Sequence, residues 1–414
     1  MLRFVCLAAL FLGLLTLTVE FAPAEETAKP AARPPVVLSD AARKLHAECL
    51  LVDGHNDLPW HTRTEHDGSF AKGDIAVLQP KNHTDIPRLR QGGVGAQFWA
   101  AYAPVETIRK GDATHVVLEQ IDLIREMIDR YPETFELALT ADDIERIHGQ
   151  GKIASLIGVE GGHAIEDSLG VLRMLHALGV RYMTLTHADT LNWADAATDD
   201  PRHGGLSPFG EEVVRRMNEL GMLVDISHVS PDTMRDALAV SRAPVIASHS
   251  SAYAIAAHPR NVPDDVLLLI KANGGVVMVN FFSGFVVPES AQTAADMFQV
   301  RRELSKQHPD AKELDKAMKA WQAAHPLVPG TIHDVVDHID HIVKLAGVDH
   351  VGIGSDFDGV SMLPEQLKDV SAYPLLTQEL LNRGYKPEDI RKILGGNLLR
   401  ALRGAEQTAR ELRK

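Results

Sequence analysis

The chain has 414 residues, 45% of them hydrophobic and 24% charged, the balance of a soluble globular protein long enough for one large domain or two small ones. A formal net charge of -14, with no Lys/Arg cluster to offset it, argues against an electrostatic hold on nucleic acid or on an anionic membrane surface. Only Cys6 and Cys49 occur, too few for a disulfide framework or a thiolate metal site, so any metal falls to His and carboxylate ligands.

At the amino terminus Met1-Leu2-Arg3, an apolar run from Phe4 to Val19 and the small residues Ala22-Pro23-Ala24 before Glu25 have the three-part layout of a secretory signal. A run of about 16 apolar residues is short for a membrane span, which usually needs about 20. The expectation is export, periplasmic or secreted, with residues 1–24 removed as a signal peptide. Cys6 would leave with it, and Cys49 would then have no intramolecular partner. Residues 25–38 read as a Pro/Ala-rich linker. No hydrophobic tail closes the chain, so no stable membrane anchor is expected.

Residues 39–405 alternate short apolar runs with amphipathic stretches. The predicted strands are Leu50–Asp53, Val94–Ala101, Ile153–Val159, Arg181–Thr186, Leu223–Ile226, Pro244–Ala247, Gly275–Asn280 and Val351–Gly354. Helices are expected at Thr114–Arg130, Ala141–His148, Leu169–Leu178, Glu211–Leu220, Pro231–Val240, Pro263–Lys271 and Thr331–Ala346, each with apolar residues three and four apart. Eight strand-helix units, with no glycine-rich dinucleotide fingerprint after the first, point to a (β/α)8 TIM barrel of the metal-dependent hydrolase type. Residues 283–329 break the rhythm. They read as a helical insertion between the last two strands, either a lid over the site or a solvated ornament.

The chemistry-bearing residues stand at the strand ends. The first strand runs into His55 and Asp57, an imidazole and a carboxylate on one face; taken alone, Asp57 reads equally as a turn cap and His55 as a loop histidine. Further ends carry Glu160, His187, His228, His249 and Asp356, and in a barrel such ends converge on one face. Two cations held close together need a bridging anion, and with no Lys at a strand end Glu160 is the candidate. His55, Asp57 and Glu160 would then hold one ion, and Glu160, His228 and His249 the other.

Read together, Asp53-Gly54-His55-Asn56-Asp57, Gly158-Val159-Glu160-Gly161-Gly162-His163, Leu185-Thr186-His187, Ile226-Ser227-His228-Val229-Ser230, Ser248-His249-Ser250, Arg260-Asn261-Val262-Pro263 and Asp356-Phe357-Asp358-Gly359 resemble the membrane dipeptidase (renal dipeptidase) family, peptidase family M19. The resemblance covers nearly the whole mature chain, and the missing cysteine pairs and anchor signal liken it to bacterial exported members. It implies a metallo-dipeptidase with two Zn2+ per chain and Glu160 bridging. It also implies that His187 and Arg260 contact a small dipeptide substrate, that Asp356 works beside the metal-bound water, and that the chain forms a homodimer.

The chemistry agrees with that implication. Water between two cations becomes a bridging hydroxide near neutral pH, and the same ions polarise the scissile carbonyl. Asp356 can take that proton and pass it to the leaving amine, His187 can donate to the developing oxyanion, and Arg260 offers a planar fork for a free carboxylate. Taken alone, Arg260 reads as a surface ion pair with Asp264 or Asp265, and His187 as a hydrogen-bonded core histidine. Alternative readings are another binuclear-metal amidohydrolase, acting on an N-acyl amino acid, a lactone or a β-lactam, and a non-catalytic exported metal-binding protein.

Overall fold

The computed structural model describes residues 33–308 and 310–414. The expected signal, residues 1–24, the first part of the linker and Cys6 lie outside them. Among the described residues nine parallel strands form: β1 (Leu51–Asn56), β2 (Val94–Tyr102), β3 (Phe135–Leu137), β4 (Ile153–Glu160), β5 (Val180–Thr184), β6 (Leu223–Asp225), β7 (Ile246–Ala247), β8 (Val276–Val279) and β9 (Val351–Ile353). Eight of them close a ring, β1-β2-β4-β5-β6-β7-β8-β9, with β9 returning to β1 at Asp53↔Ile353. This is the expected TIM barrel. β3, which no apolar run announced, pairs only with the amino-terminal half of β4, at Ile153 to Ser155, below the point where β5 joins at Ile157.

Alternate strand residues separate into two apolar clusters, as a period of two requires. Leu51, Trp99 and Ile157 pack outward under the helices, whereas Val52, Phe98, Leu156, Tyr182 and Met278 fill the barrel. Leu398, Leu399 and Leu402 of the last helix (Asn397–Leu412) join the inner cluster. Gly158 lies beside Tyr182, its register partner on the neighbouring strand β5. A Cβ there would stand 2.0 Å from the ring, so the glycine makes room for the tyrosine.

The seven expected helices are present to within a few residues, and their starts have local causes. Ser207 and Ser230 each accept a backbone N–H of the first turn, with Pro208 and Pro231 at the opening position, and Thr140 forms a capping box with Asp143. Residues 283–329 hold three helices, Ser283–Val286, Pro288–Gln307 and Ala311–Ala324. Among the described residues no helix is long and apolar enough to cross a membrane. Cys49 is free and buried.

One buried histidine rivets the root of the insertion to the barrel. His338, in the helix Ile332–Ala346, accepts the N–H of Ala252 at Nδ1 (2.9 Å), and its Nε2 lies 3.1 Å from the carbonyl of Val286, to which it donates. Burial pushes this imidazole down to about 4. The unfolded chain binds a proton near 6.5 that the folded chain refuses, so the contribution is complete above pH 6.5 and is lost as pH falls towards 4. Denaturant unfolding should show a loss of about 3 kcal/mol from His338 across that window, and His338→Gln should flatten that part of the pH profile.

Candidate metal centre

The carboxyl ends of the strands converge on one buried cluster. His55, next to last in β1, has its Nδ1 2.7 Å from the hydroxyl of Tyr182. That contact leaves Nε2 buried without a hydrogen-bond partner, 3.2 Å from Asp57 Oδ2 and 3.7 Å from Glu160 Oε2. Asp57 stands at the cap position of the helix Leu58–Glu65, but its side chain makes no capping bond. The turn-cap explanation therefore fails, and the carboxylate belongs to the cluster.

Glu160, the last residue of β4, is its hub. Its Oε1 lies 3.1 Å from His228 Nε2 and 3.6 Å from the Nε2 atoms of both His249 and His187. The nitrogens of His228 and His249 are themselves 2.8 Å apart. Ser248 Oγ donates to Asp225 Oδ2 (2.6 Å) and sits 2.7 Å from His249 Nδ1, so that nitrogen carries the proton and Nε2 turns its lone pair inward. Grouped by proximity, the donor atoms form three overlapping sets: His55, Glu160 and His249; Glu160, His187 and His228; His55, Asp57 and Asp356. Glu160 and His55 are each shared by two sets, and of the two only the carboxylate has a second oxygen to offer a second ion; His249 groups with His55 here, and His228 with His187. His187 and Asp356, expected to serve substrate and water, stand within reach of the same donors.

Electrostatics favour a cation here. Burial pushes the imidazoles of His187, His228 and His249 well below their ordinary range, so they are neutral, the form that ligates. Burial, opposed by His55 and reinforced by Asp57 and Asp356, pushes Glu160 up to about 8; burial, opposed by His55 and reinforced by Asp57, pushes Asp356 up to about 7. Burial also works against the charged form of His55, but Asp57 and Glu160 outweigh it and raise His55 to about 10. Protons thus gather where a divalent cation would displace them. An all-nitrogen and oxygen donor set, with the outer nitrogens of His55 and His249 bonded and that of His228 without a partner, suits a divalent cation of the zinc type.

Arg260 is fully buried, not a surface residue. Asp264 pairs with His341 and Asp265 with Arg235, so the surface ion pair does not form. Its Nη1 donates to Ser250 Oγ and Nη2 to the His249 carbonyl, both at 3.3 Å, while Nε has no partner. Among the described residues no carboxylate pairs with this guanidinium. His187 is not a satisfied core histidine either: it lines the cleft, stacks on His228 at 4.4 Å and leaves Nδ1 unpartnered. His163 supports its loop through the Ala103 carbonyl, and Asp358 accepts the N–H of His83.

The cleft above these groups measures about 480 Å³. The insertion forms one of its walls through Phe285, Met297, Phe298 and Arg301, so it stands over the site and not away from it. Arg302 ties the insertion to Asp199 at 2.7 Å, and Arg301 lies 3.8 Å from Glu106.

Sequence reasoning missed the supports. Asn280 donates to Asp356 Oδ2 (2.7 Å), Tyr182 and Ser248 hold imidazoles, and Asp53 accepts from the N–H and hydroxyl of Ser355 and from Tyr373. The one available signal was an Asp shortly before His55 and another before His228, each in an apolar run where an acid needs a partner. Two site residues, His228 and Asp356, hold left-handed backbone at φ +68° and +66°.

A family model described as membrane dipeptidase (peptidase family M19) matches residues 39–414. Dipeptidase verJ of Clonostachys rogersoniana is 40% identical over 387 residues, 90% of this chain and 88% of that protein. The crystal structure of the probable dipeptidase PvdM from Pseudomonas aeruginosa has a TM-score of 0.76 at 27% identity, covering 89% of this chain and 98% of that one. A metallopeptidase from Rhodobacter sphaeroides, liganded with a phosphinate mimic of the dipeptide L-Ala-D-Ala, shares the fold with a TM-score of 0.71 at 23% identity, over 86% of this chain and 99% of that one.

If the Tyr182 hydroxyl sets the orientation of His55, Tyr182→Phe should weaken divalent-metal binding roughly 10- to 100-fold, the usual effect of losing an outer partner. Competition against a chromophoric chelator measures it. Unchanged affinity would mean that packing alone orients the imidazole.

Proposed function

We propose a mechanism for a chain that belongs to the membrane dipeptidase family, peptidase family M19, and is a metal-dependent dipeptidase. The reading is hydrolysis of the peptide bond of dipeptides with two zinc ions held by His55, Asp57, Glu160, His228 and His249, Glu160 serving both. When bound, such ions acidify water and polarise a carbonyl.

The chain's own groups do the rest. Asn280 holds Asp356 by one oxygen, which leaves the other free to take a proton from the attacking water and deliver it to the departing amine. His187, on the cleft wall beside Glu160, donates to the oxygen that becomes negative in the tetrahedral intermediate. Arg260 receives the free carboxylate of the substrate, and its buried, carboxylate-free guanidinium beside the converging donors is the observation that carries the reading. A charge so placed is costly unless a ligand completes it. The mimic bound by the Rhodobacter protein supports a dipeptide in this cleft.

We also infer export, from the apolar run Phe4–Val19 and the small residues before Glu25. Mass spectrometry of the native protein should find a new amino terminus near Glu25; an intact Met1 would refute it.

Arg260→Ala should cost on the order of 2 to 4 kcal/mol of transition-state stabilisation, or roughly 30- to 1000-fold in kcat/KM for a dipeptide. A dipeptide amide should be a poor substrate for the wild type and little worse for the variant, because both changes remove one interaction. Equal cleavage of dipeptides and their amides would sink the assignment.

A further inference from the structure

We propose that the cleft selects dipeptides whose carboxyl-terminal residue carries a bulky apolar side chain, and that the helical insertion between β8 and β9 is the selecting element. The proposal rests on the dipeptidase reading above. It starts from the position of Arg260, whose guanidinium carbon lies 5.2 Å from the centre of the Phe285 ring. A carboxylate held by Arg260 brings its own α-carbon, and the side chain on that carbon, up to Phe285. The amino-terminal residue, one peptide bond away, does not reach the same place.

Phe285 belongs to an apolar wall. Phe282 meets it edge to face at 4.9 Å, and Phe298 stacks on it at 6.5 Å. Met297 packs against the same group, and all four line the cleft. Three of them, Phe285, Met297 and Phe298, come from the insertion. Arg302 pins the helix Pro288–Gln307 to Asp199, so the wall faces the cleft in a fixed place. A small or charged side chain would leave this surface facing water, or would lose its own hydration against it.

Arg301 is the rival feature, since a cation in the cleft would favour an acidic side chain. Its side chain is 54% exposed and lies 3.8 Å from Glu106, so solvent and a neighbouring carboxylate already screen it. Burying a leucine- or phenylalanine-sized side chain against the wall corresponds to roughly 10- to 150-fold in kcat/KM over glycine.

The test uses the zinc-loaded full chain and two dipeptide series, Ala-X and X-Ala, with X as Gly, Ser, Glu, Leu and Phe. Ala-Leu and Ala-Phe should exceed Ala-Gly and Ala-Glu by at least about tenfold, and the X-Ala series should lack that ranking. Phe298→Ser should shrink the Ala-Leu to Ala-Gly ratio towards unity. Met297→Lys should raise Ala-Glu relative to Ala-Leu, a gain that a folding defect cannot imitate; thermal melts accompany both. Equal rates across Ala-X, a ranking confined to X-Ala, or ratios untouched by both substitutions would overturn the proposal and leave the dipeptidase reading standing. No cleavage of any dipeptide would overturn that reading and the proposal with it.

Discussion

The active face of the barrel depends on two buried carboxylates that do not line the cleft. Asp53 reaches from β1 to the end of β9, where it accepts the N–H and hydroxyl of Ser355, the residue before Asp356. Asp225 reaches from β6 to the end of β7, where it accepts the N–H and hydroxyl of Ser248, the residue before His249, and it takes Thr184 of β5 as well. A buried carboxyl group in such a place is tolerable only when its oxygens are bonded. The requirement works in both directions: the acids are satisfied only if the strand ends lie in this register, and the register in turn aims the next residue into the donor cluster, His249 at Glu160 and Asp356 at His55 and Asp57.

Much of the fold could be read along the chain because period-two and period-3.6 patterns are local, and because Ser-Pro and Thr-x-x-Asp starts are local too. The convergence of His55, Glu160, His228 and His249 was legible for a topological reason. Once strands and helices alternate eight times, strand ends must share a face. β3 was not legible, since three residues carry no period. Nor were Tyr182 and Asn280, whose roles arise across the barrel, 127 residues from His55 and 76 from Asp356. Arg260 and His187 fell between. Their residue types suggested chemistry, but only the structure shows a guanidinium and an imidazole left with unpartnered nitrogens beside the cleft.

Charge and apolar surface divide the cleft. The donors beneath are the neutral imidazoles of His187, His228 and His249, with His55 and the carboxylates competing for protons, whereas the insertion contributes rings, a thioether and the half-exposed Arg301. A low-dielectric wall strengthens every field that crosses the site, so the same residues that shape the cleft also sharpen the pull of Arg260 on a carboxylate.

The left-handed backbone at His228 and Asp356 bears on how such a chain would age without its activity. Neither residue is glycine, and each holds a conformation that glycine adopts without strain. Together with three carboxylates crowded into one buried pocket, they make the unloaded barrel less stable than a plain hydrophobic version of itself. A chain freed from hydrolysis could recover that backbone strain with glycine at either position, and the side chain that the site uses would be lost with it.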